Sequence, residues 1–165
     1  MLGPHLALPG PENGWQGDHI ARLMAAFARV TGRDLVAELG LDTGIDPGAL
    51  GRSAWEGDFA LLSHRGDGQA TLNYGNRFAL ALWEMDWAVF TATPSVATAP
   101  PVDVPERGAM MEEVARSGFV GNYTGRRVSA TGKLFTIDDG MIWRLLDAKG
   151  EAFGVAATFR KITRL

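Results

Sequence analysis

Cysteine is missing from all 165 residues, which excludes disulfides, thiolate metal ligands and a cysteine nucleophile. Histidine is scarce, and no two of the three are spaced to share a metal ion. The 16 Lys and Arg are outnumbered by 19 Asp and Glu, and the two signs are interspersed. No basic cluster is dense enough to neutralise several phosphates, which disfavours nucleic acid as the main partner. No apolar run approaches the roughly 18 residues that read as a membrane span. The opening MLGPHLALPGPENG lacks a basic region and is broken by Pro4, Pro9 and Pro11, so it does not read as a signal peptide. The glycine-rich RGDGQ lacks the Gly-Lys-Ser/Thr of a phosphate loop. The default expectation is a soluble, cytoplasmic protein.

What is present suffices for one core: 46% of the chain is hydrophobic, and the length suits a single domain. Residues 1–14 read as an irregular arm, with His5 inside it and His19 beside it. Ile20, Leu23, Met24, Phe27, Val30 and Leu35 recur at helical spacing, interrupted at Thr31-Gly32. DTGIDPG is turn chemistry, and Pro47 suits the first turn of a short helix running to Trp55. Residues 58–64 and 70–73 predict a hairpin around RGDG. The run NYGNRFALALWEMDW, 73–87, predicts one amphipathic helix capped by Asn76, with Trp83 and Trp87 one turn apart. Prolines 94, 100, 101 and 105 then impose a loop, and Pro105 opens a helix to Ser117 along Met110, Met111 and Val114. Three antiparallel strands follow, punctuated at Thr131-Gly132 and Lys149-Gly150.

Two strands, a helical crossover and three antiparallel strands is the layout of PAS-like domains. The expected class is therefore α+β: a PAS-like, antiparallel five-stranded sheet with helices over one face and an N-terminal helical extension. Residues 1–56 form the arm and the helices that pack on the domain at 57–165. A pocket is expected between the sheet and the middle helices.

Alternation along 122–130 puts Tyr123, Gly125, Arg127 and Ser129 on one strand face and Asn122, Thr124, Arg126 and Val128 on the other. Arg127 facing inward could grip a carboxylate bidentately; facing outward, it would pair with Asp58 or Asp138. Trp143 shares a face with Met141 and Leu145, as pocket wall or core; the same choice applies to Trp83, while Trp87 suits a pocket rim. Tyr74 and Asn76 either aim at an anionic ligand or serve as turn and cap. Ser63 and His64 are strand neighbours on opposite faces and cannot pair as nucleophile and base, although His64 alone suits a general base or ligand anchor. Asp138 and Asp139 diverge and read as a bulge or a turn beside Gly140.

The blocks LLSHRGDGQATLNYGNRFALALWEMDW, PSVATAP, GFVGNYTGRRVSATGKLFTIDDGMIWRLLD and GVAATF resemble the MEKHLA domain over about 59–159. The resemblance implies a PAS-related fold, known in stand-alone bacterial proteins and at the end of plant homeodomain-leucine zipper regulators. It places Arg127 at a recurrent arginine, with Tyr123 beside it at the polar end of a cavity. It also marks departures: Val96 stands where the family has Arg, Val155 where it has Gln, and Arg144 where Asn is common. If Val96 and Val155 face the cavity, its guest is held differently here.

Two functions follow, beside a purely structural interaction domain with a filled core. One is a small-molecule binding or sensory module, its guest anionic or aromatic, that signals by association, with exposed sheet or the N-terminal helix available to form a homodimer. The other is a cofactor-independent lyase, isomerase or addition enzyme, with His64 or Tyr123 moving a proton and Arg127 as anchor. No motif names a cofactor, and haem and flavin both stay open.

Overall fold

The computed structural model describes residues 5–165. Helix α1, Gly17–Thr31, buries Ile20, Leu23, Met24 and Phe27 along one stripe and stops at Gly32, whose left-handed φ of 73° lets its N–H reach the Ala28 carbonyl. Short α2, Leu35–Leu39, is capped by Asp34, whose carboxylate accepts the Ala37 N–H. Helix α3, Ala49–Trp55, crosses so close to the start of α1 that a Cβ on Gly51 would lie 2.5 Å from the Trp15 carbonyl oxygen.

The hairpin is β1, Ala60–Arg65, with β2, Leu72–Gly75. After the crossover come β3, Phe119–Val128, β4, Leu134–Leu146, and β5, Ala152–Phe159. Together they form the order β2-β1-β5-β4-β3, antiparallel throughout, and β6, Lys161–Arg164, continues beyond Arg160 along the first half of β4. The expected five-stranded PAS-like sheet is present, with this sixth strand added.

The long strands change phase midway. Asp139 and Asn122 both adopt left-handed φ, 57° and 51°, where the β3–β4 register slips. Of the bulge or turn expected beside Gly140, the bulge is found, matched by a second one across the ladder. An inserted residue reverses which parity faces which side. Phe135 and Ile137 therefore share a core with Ile142, whereas Trp143 and Leu145 belong to the opposite core.

The segment 73–87 forms two helices rather than the expected one. Helix α4, Arg77–Trp83, ends because Glu84 is left-handed (φ 57°), and α5, Trp87–Phe90, starts afresh on Asp86, whose side chain accepts the Val89 N–H at 2.8 Å. The tryptophans consequently enter different cores. Trp83 meets Phe90, Phe135 and Phe159, while Trp87 meets Trp55 and Tyr74.

The proline segment makes short 3-10 turns at Ser95–Thr98 and Pro101–Asp103 and leads into α6, Val104–Ser117. Helices α4 and α6 cover one sheet face through Leu82, Trp83, Met110 and Val114. The other face carries α1: Phe27 stands edge-on to Trp143 at 5.1 Å, and the Trp143 indole donates to the Leu23 carbonyl at 3.0 Å. The sheet surface considered for a partner is thus occupied by the chain's own N-terminal helix.

Candidate functional site

A cavity of about 60 Å³ lies between α6, the Ser95–Thr98 turn and the inner face of β1, β3, β4 and β5. Most of its wall is apolar, from Leu62, Met110, Ile137, Ile142, Ala157 and Phe159. Strand β3 supplies Tyr123 and Arg127 from the one face that alternation assigns to both. Arg127 is only 5% exposed; its guanidinium packs 5.4 Å from the Tyr123 ring centre and donates through Nη1 to the Arg126 carbonyl at 2.7 Å. The outward alternative for Arg127 does not hold, since Asp58 pairs with Arg160 and Asp138 accepts from Thr163.

Helix α6 brings a second guanidinium that the sequence reading missed. Arg107 donates to Ser95 Oγ at 2.8 Å and lines the same cavity. It precedes Met110, Met111 and Val114 by three, four and seven residues, so the α6 stripe itself was the signal. Burial, and then the like charge of Arg127, hold Arg107 below the usual arginine value, with Tyr123 opposing. Among the described residues neither arginine has an acidic partner, for every ion pair uses other groups.

Further polar atoms here are buried and unpartnered: the Tyr123 hydroxyl, the Trp83 indole N–H and His64 Nε2. Burial lowers the His64 pKa most; Arg107 lowers it further, and the Arg65 carbonyl and Asp67 pull it back up. Two cations and two free donors in a mostly apolar enclosure form an unbalanced set that an anion would complete.

Of the residues singled out in the sequence, His64, Trp83, Tyr123, Arg127 and Val155 come together at this cavity. Tyr74, Asn76, Trp87, Trp143 and Val96 do not. Tyr74 lies 5.7 Å from the His19 ring on the α1 side of the sheet, where burial pushes its phenol up. Asn76 is spent on structure: Oδ1 accepts the Leu61 and Ala79 N–H groups, and Nδ2 donates to the Ala54 and Phe59 carbonyls. The Trp87 indole donates to the Leu6 carbonyl, Trp143 is core, and Val96 is 42% exposed on its turn. Of the family departures, Val155 therefore bears on the cavity and Val96 does not.

His19 is not beside a loose arm but 2% exposed on α1, with Nε2 3.0 Å from Ser63 Oγ. Ser63 in turn donates to Asn73 Oδ1 at 2.6 Å, so the serine turns away from His64, as alternation requires. Desolvation, helped by Arg22, lowers the His19 pKa to about 4.

The model of the MEKHLA domain matches residues 17–164. The chain belongs to the MEKHLA domain family. The match begins at α1, so the MEKHLA unit takes in the helices that cover the second sheet face as well as the blocks legible in the sequence. No curated protein matches. Among solved structures, the MEKHLA chain is similar to a PAS domain from Colwellia psychrerythraea, with TM-score 0.59 and 12% identity over 69% of this chain and 92% of that one. It is also similar to an RNA-binding Light-Oxygen-Voltage receptor, with TM-score 0.61 and 18% identity over 71% of this chain and 33% of that one. A PAS domain from a two-component sensor histidine kinase aligns with TM-score 0.50 and 15% identity over 67% of this chain and 88% of that one. These likenesses establish the PAS fold. A flavin or haem does not fit the MEKHLA cavity as it stands: about 60 Å³ is far below the roughly 300 Å³ at which drug-sized pockets begin.

Proposed function

We propose that this chain is a sensory module whose cavity binds a small anion between Arg107 and Arg127. The observation that carries the reading is the pair of cavity-lining guanidiniums without an acidic partner among the described residues. A desolvated charge without a counter-charge is costly, and a carboxylate offers each guanidinium a planar, charge-assisted partner. Tyr123 and Trp83 add donors at the same space.

The guest would join two elements that carry like charges toward one cavity. Arg107 sits on α6 and Arg127 on β3, and an anion between them turns repulsion into attraction across that junction. Because Arg107 also holds Ser95, binding would tighten the Ser95–Thr98 turn together with the helix. A changed α6 surface is then the output, read by association with a second copy or another protein.

A thermal-shift screen of small carboxylates and inorganic anions tests the reading. One or more should raise the melting temperature of the wild-type chain saturably, and Arg127→Met should abolish the rise. If no anion shifts wild type beyond the effect of matched ionic strength, the proposal fails. Consumption of the stabilising acid would favour the enzymatic alternative, with His64 as base.

A further inference from the structure

The ring of His64 is oriented by its neighbour's backbone. Nδ1 lies 3.0 Å from the Arg65 carbonyl oxygen; a carbonyl only accepts, so Nδ1 carries the proton. Nε2 of the neutral ring is then a bare lone pair, buried without a partner at the cavity wall. The groups around it offer the opposite polarity. The guanidiniums and the Trp83 indole only donate, and the Tyr123 hydroxyl does so readily. Ser95 Oγ accepts from Arg107 and keeps its own hydrogen as one more donor, and Thr98 Oγ1 donates to the Ser95 carbonyl.

A plain carboxylate would satisfy the donors and leave the His64 lone pair facing a methylene or another lone pair. An ammonium group would satisfy it but would add a third cation beside Arg107 and Arg127. A hydroxyl donates without bringing charge. Resting on the anion reading above, we infer that the guest is a short hydroxy acid, its carboxylate between Arg107 and Arg127 and its hydroxyl donating to Nε2 of His64. The size agrees: about 60 Å³ is room for roughly four to six waters, comparable to glycolate, lactate or 3-hydroxybutyrate. Val155, on the same wall, is apolar and does not compete for that hydroxyl.

The test is calorimetric titration of the full chain near neutral pH with lactate against propionate and alanine, and 3-hydroxybutyrate against butyrate. Each is repeated in two buffers of different ionisation enthalpy. In at least one set the hydroxy acid should bind about tenfold more tightly than its deoxy partner, without net proton uptake, and alanine should bind worst. His64→Leu should erase the preference while the deoxy acid keeps its affinity, and His64→Gln, which retains an acceptor, should restore part of it. Equal binding of each pair to wild type would overturn the hydroxyl inference and leave the anion site standing. So would uptake of one proton per acid bound, since His64 would then be an imidazolium donor. Failure of every acid to bind would overturn the anion site itself.

Discussion

Apart from the face of the Tyr123 ring, the arginine at 127 has little to hold it, because its polar contact is the carbonyl of its neighbour Arg126 and the like charge of Arg107 acts against it. Arg127→Met keeps the length of the side chain and removes the repulsion. Urea unfolding should find the ligand-free variant more stable than wild type by about 1–2 kcal/mol. A destabilised variant would mean that the contact with the Tyr123 ring outweighs the repulsion from Arg107. Two histidines, His19 buried and His64 half-buried, give a pH signature. His19 titrates at about 4 in the folded chain against 6.5 when unfolded, so the unfolded chain binds the extra proton between those values. Its contribution is complete above pH 6.5 and is lost as pH falls toward 4, on the order of 3 kcal/mol. His64, also lowered, acts in the same direction. His19→Gln should flatten the slope of stability against pH in that window, and an unchanged slope would contradict the buried, neutral assignment.

At the scale of elements, the caps and bulges decide which side chains meet. Asn76 caps α4 and also ties β1 and α3 to it, so Asn76→Ala should cost about 2–4 kcal/mol in denaturant unfolding, more than a surface cap. Gly125 lies beneath the Tyr123 hydroxyl, and a Cβ there would collide with it. Gly125→Ala should therefore move Tyr123 and weaken anion binding while the fold persists, as chemical shifts of the ring would report. Much of this was legible. Asn76 as a cap, an irregularity at Asp138-Asp139-Gly140 and the shared strand face of Tyr123 and Arg127 all follow from local chemistry, whereas the inward direction of that face was given only by the family resemblance. The α4–α5 break was not, because a left-handed Glu84 has no composition signal, although Asp86 ahead of Trp87 is a cap in plain sight. Arg107 was missed for a different reason: an arginine in an apolar stripe reads as the polar edge of a helix until the facing element is known.

Over the whole molecule, α1 matters as much as the PAS-like portion. Trp143, Leu145, Phe59 and Leu61 depend on Ile20, Leu23 and Phe27 for cover, and no periodicity in either segment announces that the two meet. A chain starting at residue 57 should expose that face and aggregate or bind hydrophobic dyes, whereas one starting at 17 keeps the helix. A monomeric, cooperatively folding 57–165 fragment would contradict the two-faced packing. For the cavity, the most direct measurement is NMR of the arginine side-chain N–H groups while acetate or lactate is titrated into the full chain. The Arg107 and Arg127 signals should shift together and saturate at one anion per chain, with the eleven other arginines unmoved, and the Arg107 shift should be lost in Arg127→Met. Signals from 107 and 127 that stay fixed, or drift only with ionic strength, would contradict an anion held between them.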